Sequence, residues 1–151
     1  DESIEKIDTN KLIKDVLENL KVRIDKKEAN VRVGELPDVS GRYSQILQLF
    51  QNIIGNGLKF QESKPVEISV EGKKRPNGKV EFKITDNGIG FDNTNADRIL
   101  GNFQRVHQRD RFEGTGTGLA IVKKVVETHN GGLDLNSNPG DGTTVTVTLP
   151  V

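Results

Sequence analysis

The apolar residues of this chain are one-sided. Val66, Ile68 and Val70 alternate with polar neighbours, and Val80, Phe82 and Ile84 do the same a short way downstream. Alternation puts every second side chain on one face of a strand, so each strand can bury one face only. The link between the two runs holds Pro76-Asn77-Gly78, residue types that favour a tight reversal, which predicts an antiparallel hairpin. Leu133 and Leu135, then Val145, Val147 and Leu149, repeat the pattern around Pro139-Gly140-Asp141-Gly142, and Val31-Arg32-Val33 is a shorter instance. A sheet that is apolar on one face needs a covering layer, and three helical patterns supply it. Leu12, Ile13, Val16, Leu17, Leu20 and Ile24 mark a helix over residues 10–26, ahead of the strand at Val31 and a Leu36-Pro37 stop. Ser44 to Lys59 is the second helix, and Leu119 to His129 the third, ended by Gly131-Gly132. The expected fold is α+β, a two-layer α/β sandwich: a mixed, mostly antiparallel sheet covered by three helices on one face. Ala96 to Leu100 reads as a short helix, and the Gly-rich, charged residues 101–117 as a loop.

Composition narrows the function. With 151 residues the chain suits one domain, residues 10–151, preceded by a linker over residues 1–9. Lys plus Arg number 22 and Asp plus Glu 22, a net charge of zero that argues against bulk nucleic-acid binding. There is no Cys, hence no thiol nucleophile, disulfide or thiolate metal site, and two isolated histidines do not make a His-rich metal centre. No 18-residue apolar run and no signal peptide occur. The chain also lacks Met and starts at Asp1, from which we expect a portion of a longer protein.

Four segments carry chemistry. On the second helix, with Asn52 as origin, Asn56 falls near 40°, Lys59 near −20° and Phe60 near 80°, whereas Ile46, Leu47, Phe50, Ile53, Ile54 and Leu58 cluster between roughly 100° and 240°. Only Leu49 breaks the division. Such a polar stripe also suits a plain solvated face, but two Asn in a helix interior are poor helix formers and offer neutral oxygens a turn apart. Oxygens of that kind suit a Mg²⁺ otherwise held by phosphates and water. Asp86-Asn87-Gly88-Ile89-Gly90 directly follows a strand. Its glycines permit close backbone approach, and its carboxylate can accept a hydrogen bond from an exocyclic amine; an ordinary Asp-Asn-Gly turn is the other reading. Gly114-Thr115-Gly116-Thr117-Gly118-Leu119 precedes the third helix, where backbone N–H groups can cradle an anion or simply form a hinge. It is neither a Walker A loop nor a dinucleotide fingerprint, because no Lys-Ser or Lys-Thr follows and no βαβ unit surrounds it. Phe103, Arg105, His107, Arg109 and Arg111 lie just upstream, able to neutralise phosphates or to form a solvated loop.

In this order the segments resemble the nucleotide-binding domain shared by gyrase B subunits, ninety-kilodalton heat-shock chaperones, histidine kinases and mismatch-repair ATPases. Within it they are most similar to the ATP-binding catalytic domain of two-component sensor histidine kinases. Asn52 to Phe60 looks like the N box, Asp86 to Gly90 the G1 box, Phe103 to Val106 the F box, Gly114 to Leu119 the G2 box and Gly140 to Thr143 the G3 turn. Residues 103–129 further resemble kinases coupled to phytochrome or PAS sensors.

The resemblance implies ATP and Mg²⁺ as ligands. Asp86 would take the adenine amine, with Gly88 and Gly90 giving backbone access and Phe60 and Ile89 lining the base. Asn56 would ligate Mg²⁺, with Asn52 facing the phosphates. Lys59 and Arg105 would meet the phosphates, and the backbone at Gly114, Gly116, Thr117, Gly118, Leu119 and Thr143 would close around them. Asn52, Lys59 and Arg105 would be the groups closest to catalysis, and residues 101–117 a mobile ATP lid. The hydrolysing members carry a Glu one turn before the metal-binding Asn, whereas Asn52 stands here, and an amide cannot take a proton. The resemblance therefore implies transfer of the γ-phosphoryl to a histidine rather than fast hydrolysis. That histidine belongs to a His-Glu or His-Asp helix, which this chain lacks: His107 lies in the expected lid and His129 at a helix end. Implied partners are the dimerisation/phosphoacceptor helices and sensor domain of the same protein and a downstream response regulator. The fragment would be monomeric, without nucleic-acid or membrane contact, and the full protein a homodimer with this part in the cytoplasm. A stand-alone ATPase, a nucleotide-free docking module and an anti-sigma-type serine kinase are the competing readings.

Overall fold

The computed structural model describes residues 3–59, 65–88, 115–138 and 142–151. The first segment is β1 (Glu5–Ile7), α1 (Thr9–Asn19), α2 (Lys21–Lys27), β2 (Asn30–Val33), β3 (Val39–Gly41) and α3 (Tyr43–Lys59). The hairpin β4 (Glu67–Lys74) and β5 (Lys79–Asp86) follows, then α4 (Thr115–Thr128), β6 (Gly132–Asn138) and β7 (Gly142–Pro150). The order β2-β4-β5-β7-β6 forms one sheet, parallel between β2 and β4 and antiparallel elsewhere. The α+β sandwich with a mixed, mostly antiparallel sheet is therefore what the alternation predicts.

The hairpin turn is the one expected at Pro76-Asn77-Gly78: the Gly78 N–H donates to the Arg75 carbonyl at 3.1 Å, and the Asn77 side chain accepts from the Lys79 N–H at 3.1 Å. Across the sheet, Val80, Phe82 and Ile84 stand opposite Leu149, Val147 and Val145. All six are buried. Phe82 meets Phe50 of α3 edge to face, ring centroids 5.3 Å apart, a pairing that adds about 1 kcal/mol beyond area burial. Leu49, the exception on the polar stripe, is fully buried as well, because α3 packs against α1 and α4 in addition to the sheet.

Two features differ from the sequence reading. The single helix expected over residues 10–26 is two, turning at Leu20, whose side chain is buried while its ψ of 5° departs from the helical path. That turn leads into α2, where the Arg23 guanidinium donates to the Gly55 carbonyl of α3 at 3.1 Å. Four helices are thus present among the described residues. The second difference lies in the expected linker: Glu5–Ile7 pairs antiparallel with Val39–Gly41, and Ile7 is buried. Glu5-Lys6-Ile7 and Val39-Ser40-Gly41 hold one large apolar residue each, which leaves no alternation to read. Asn10 secures this end, its Nδ2 donating to the Gly34 carbonyl at 3.0 Å and its Oδ1 accepting from the Leu36 N–H at 2.8 Å. The short helix expected at Ala96–Leu100 lies outside the described residues.

Candidate functional site

Asp86 closes β5 between two neighbours, opposite Ile68 of β4 and Thr143 of β7. Its Oδ1 accepts the Gly88 N–H at 2.8 Å, and the carboxylate also accepts the backbone N–H of Thr143. Removal from water raises its pKa above 3.8, against the opposing pull of those two hydrogen bonds. Asn87 holds the strand end still. Its side chain accepts the Glu67 N–H at 2.9 Å and donates to the Pro65 carbonyl at 2.8 Å, joining the end of β5 to the start of β4.

Two glycines let backbone segments converge on Asp86. At Gly57 of α3 an added β-carbon would lie 3.1 Å from the Asp86 β-carbon and 3.1 Å from Ile68 Cδ1, so the helix touches the strand end there. At Gly142, with φ +88°, an added β-carbon would run into the Asp86 carbonyl oxygen, and that dihedral region already disfavours L side chains. Asn56 directly precedes Gly57, with Asn52 one turn earlier; both are half-buried. Asn52 Nδ2 is buried with no hydrogen-bond partner among the described residues, an arrangement that native interiors rarely keep without a use. Lys59 is exposed at the end of the same helix.

Of the candidate residues, Asp86, Gly88, Thr143, Asn52, Asn56 and Lys59 are thereby located, with Asp86, Gly88 and Thr143 in hydrogen-bond contact. Gly116, Thr117, Gly118 and Leu119 need a correction. The first three were expected ahead of a third helix that starts at Leu119, but α4 begins at Thr115 and takes all four into its opening turns. Helix geometry leaves the first four N–H groups of α4 without intrahelical partners, and its start is four residues earlier than expected. Phe60, Ile89, Gly90, Phe103, Arg105, His107, Arg109, Arg111 and Gly114, and the expected lid up to that residue, lie outside the described residues. Sequence reasoning missed the clip at Asn87 and the contact of Gly57, which no local pattern announces.

Residues 41–151 match the family profile described as "Histidine kinase-, DNA gyrase B-, and HSP90-like ATPase". The chain belongs to this family. Within it, the chain is the ATP-binding catalytic domain of a sensor histidine kinase by its relatives and fold. It is 42% identical over 144 residues to the phytochrome-like protein Cph1 of Synechocystis, covering 95% of this chain and 19% of Cph1. The fold superposes on the mycobacterial sensor histidine kinase MprB with a TM-score of 0.80 at 28% identity, covering 98% of this chain and 97% of that one. Full-length ShkA shares the fold, with a TM-score of 0.81 at 24% identity over 99% of this chain and 31% of ShkA. The histidine kinase domain described here thus spans about a fifth of the length of Cph1. Among its described residues, no helix is long and apolar enough to cross a membrane.

Proposed function

We propose that this domain holds Mg²⁺-ATP at the end of β5 and presents its γ-phosphoryl group to a histidine on a separate dimerisation/phosphoacceptor domain of the same protein. The observation that carries the reading is the Asp86 carboxylate, half-buried beneath Gly57 and fixed by two backbone N–H groups. A carboxylate so oriented has acceptor capacity left for an exocyclic amine, the group that distinguishes adenine from guanine at that ring position. The ShkA structure of like fold contains AMPPNP, an ATP analogue, in support of the same ligand class.

The neighbouring groups fit phosphates and a cation. Asn52 Nδ2 is a buried donor with no partner among the described residues, and a phosphate oxygen would satisfy it. Asn56 offers a neutral amide oxygen, the ligand type that suits Mg²⁺ sharing its shell with phosphates. A bound Mg²⁺ would neutralise charge on the transferring group. Lys59 lies on the same helix and brings a positive charge, and the N-terminal turns of α4 bring N–H groups. Arg105 would add a second cation. Transfer then forms a bond from an acceptor imidazole nitrogen to the γ-phosphorus while the bond to the β–γ bridging oxygen breaks, and ADP leaves.

His129 is unsuited as acceptor. It is 5% exposed, and both of its ring nitrogens are engaged in hydrogen bonds. By the domain's resemblance to sensor kinases, the acceptor of this reading lies on a His-Glu or His-Asp helix of another domain, and a response regulator would receive the phosphoryl group next. The test is incubation with γ-labelled ATP and an assay for acid-labile phosphate. Binding without self-labelling is expected, and labelling that appears on addition of the acceptor helices supports the assignment. Clear self-labelling of the isolated domain on histidine overturns it.

A further inference from the structure

His129 is buried outside the nucleotide site, yet it joins the two helices that frame that site. The Arg42 backbone N–H donates to His129 Nε2 at 3.1 Å, across 87 positions of sequence. On the other side of the ring, Nδ1 lies 2.8 Å from the Val125 carbonyl oxygen. A backbone N–H can only donate and a carbonyl can only accept, so the ring is neutral, with its proton on Nδ1 and its lone pair on Nε2. Arg42 is the residue whose carbonyl starts α3, accepting from Gln45 and Ile46 at 3.1 and 3.0 Å. Val125 belongs to the last turn of α4, which closes through Gly131 N–H to the Val126 carbonyl at 2.9 Å, with Asn130 at φ +56°. The ring is seated on Gly41, where an added β-carbon would lie 3.0 Å from Cδ2 and 3.1 Å from Nε2.

The end of α4 is thus stapled to the start of α3, and the two helices pack on each other. With these opposite ends joined, chain direction carries the opening turns of α4 toward the half of α3 that holds Asn52, Asn56 and Lys59. We infer that His129 is a positioning residue: it sets the register of α4 against α3, and so the placement of the α4 N–H groups relative to the two asparagine amides. This role rests on the nucleotide reading above for its functional consequence, not for its geometry. A helix of 14 residues is about 21 Å long, so a small change of angle at the stapled end displaces the far end by an ångström or more.

The absence of Cys allows a direct measurement. Spin labels on Gln48→Cys of α3 and Lys124→Cys of α4, both exposed positions, report the interhelix distance distribution by pulsed dipolar spectroscopy. His129→Leu is expected to broaden or shift that distribution and to weaken Mg²⁺-ADP binding by about tenfold with far-UV dichroism unchanged. His129→Gln, which can both donate and accept, is expected to recover part of both. Histidine ¹⁵N shifts in the unsubstituted domain should report the Nδ1–H tautomer for one ring. A folded His129→Leu variant with unchanged distances, or with changed distances and unchanged affinity, overturns the inference, as does the Nε2–H tautomer. Where His129→Leu does not fold, Gly41→Ala, which crowds the ring without altering it, takes its place under the same criteria. Absence of nucleotide binding in the unsubstituted domain defeats the nucleotide reading instead, and the distances still decide the staple.

Discussion

Gly57 of α3 rests on Asp86 of β5 so closely that an added β-carbon would stand 3.1 Å from the aspartate's own. The helix bearing the two asparagines and the strand bearing the carboxylate therefore meet at one point, and substitutions there separate packing from chemistry. Gly57→Ala gains about 1 kcal/mol of helix propensity and loses a similar amount to the tight contact. Its unfolding free energy from urea melts should stay within about 1 kcal/mol of the parent. Gly57→Val should destabilise by about 2–3 kcal/mol and weaken ADP binding, both read from the same denaturation and calorimetric series.

Asp86→Asn should remain folded and lose about 10- to 100-fold in affinity for Mg²⁺-ADP, the size of a charge-assisted hydrogen bond. The pH dependence has a definite sign. The folded carboxyl keeps its proton above 3.8 because it is removed from water, so the native state binds more protons than the unfolded one in the window just above that value. Stability of the nucleotide-free domain should fall as pH rises through the window. Affinity should rise through the same window as the carboxylate ionises. Titration calorimetry across it would refute the adenine role if the parent and Asp86→Asn showed the same pH slope.

Gly142→Ala forces a side chain into the left-handed region and against the Asp86 carbonyl. A loss of about 2–4 kcal/mol is expected, visible as a lowered urea midpoint.

Asn52→Leu removes a buried donor that has no partner among the described residues. The nucleotide-free domain should keep or raise its melting temperature, because an apolar group of similar shape replaces an unsatisfied one. Nucleotide affinity should drop at the same time. A variant less stable yet unchanged in affinity would mean that Asn52 serves the fold.

The Tyr43 hydroxyl donates to Asp15. Partial burial, followed by the hydrogen bond to Asp15 and the charges of Asp15 and Glu5, pushes its pKa from 10.0 to about 12. The native state thus holds a proton that the unfolded chain releases near pH 10. The stabilisation is complete below pH 10 and is lost as pH rises toward 12. Urea melts at pH 8.5 to 11.5 should show a steeper decline for the parent than for Tyr43→Phe.

Local patterns made most of the architecture legible. Period-two alternation marked β4, β5, β6 and β7, because a strand half in water must alternate. The two-faced helix from Ser44 to Lys59 differs from α3 by one residue at its start. The three-residue strands β1 and β3 and the turn at Leu20 were not legible, since short segments take their conformation from partners far along the chain. The start of α4 differs from the expected one because glycine is a weak helix former in isolation, so Gly116 and Gly118 read as loop although the helix takes them in from Thr115 onward.

The amino-acid sequence by itself determined which side chains face the core and which segments carry acid, amide and glycine. It also determined the family, because the boxes lie in order along the chain. Only the tertiary structure decided that Gly57 bears on Asp86, that Gly142 underlies it, and that His129 joins α4 to α3 across 87 positions. Periodicity and turn chemistry act over a few residues and are written locally. Close approach depends on where two distant backbones come to rest, and that is settled only when the whole core packs.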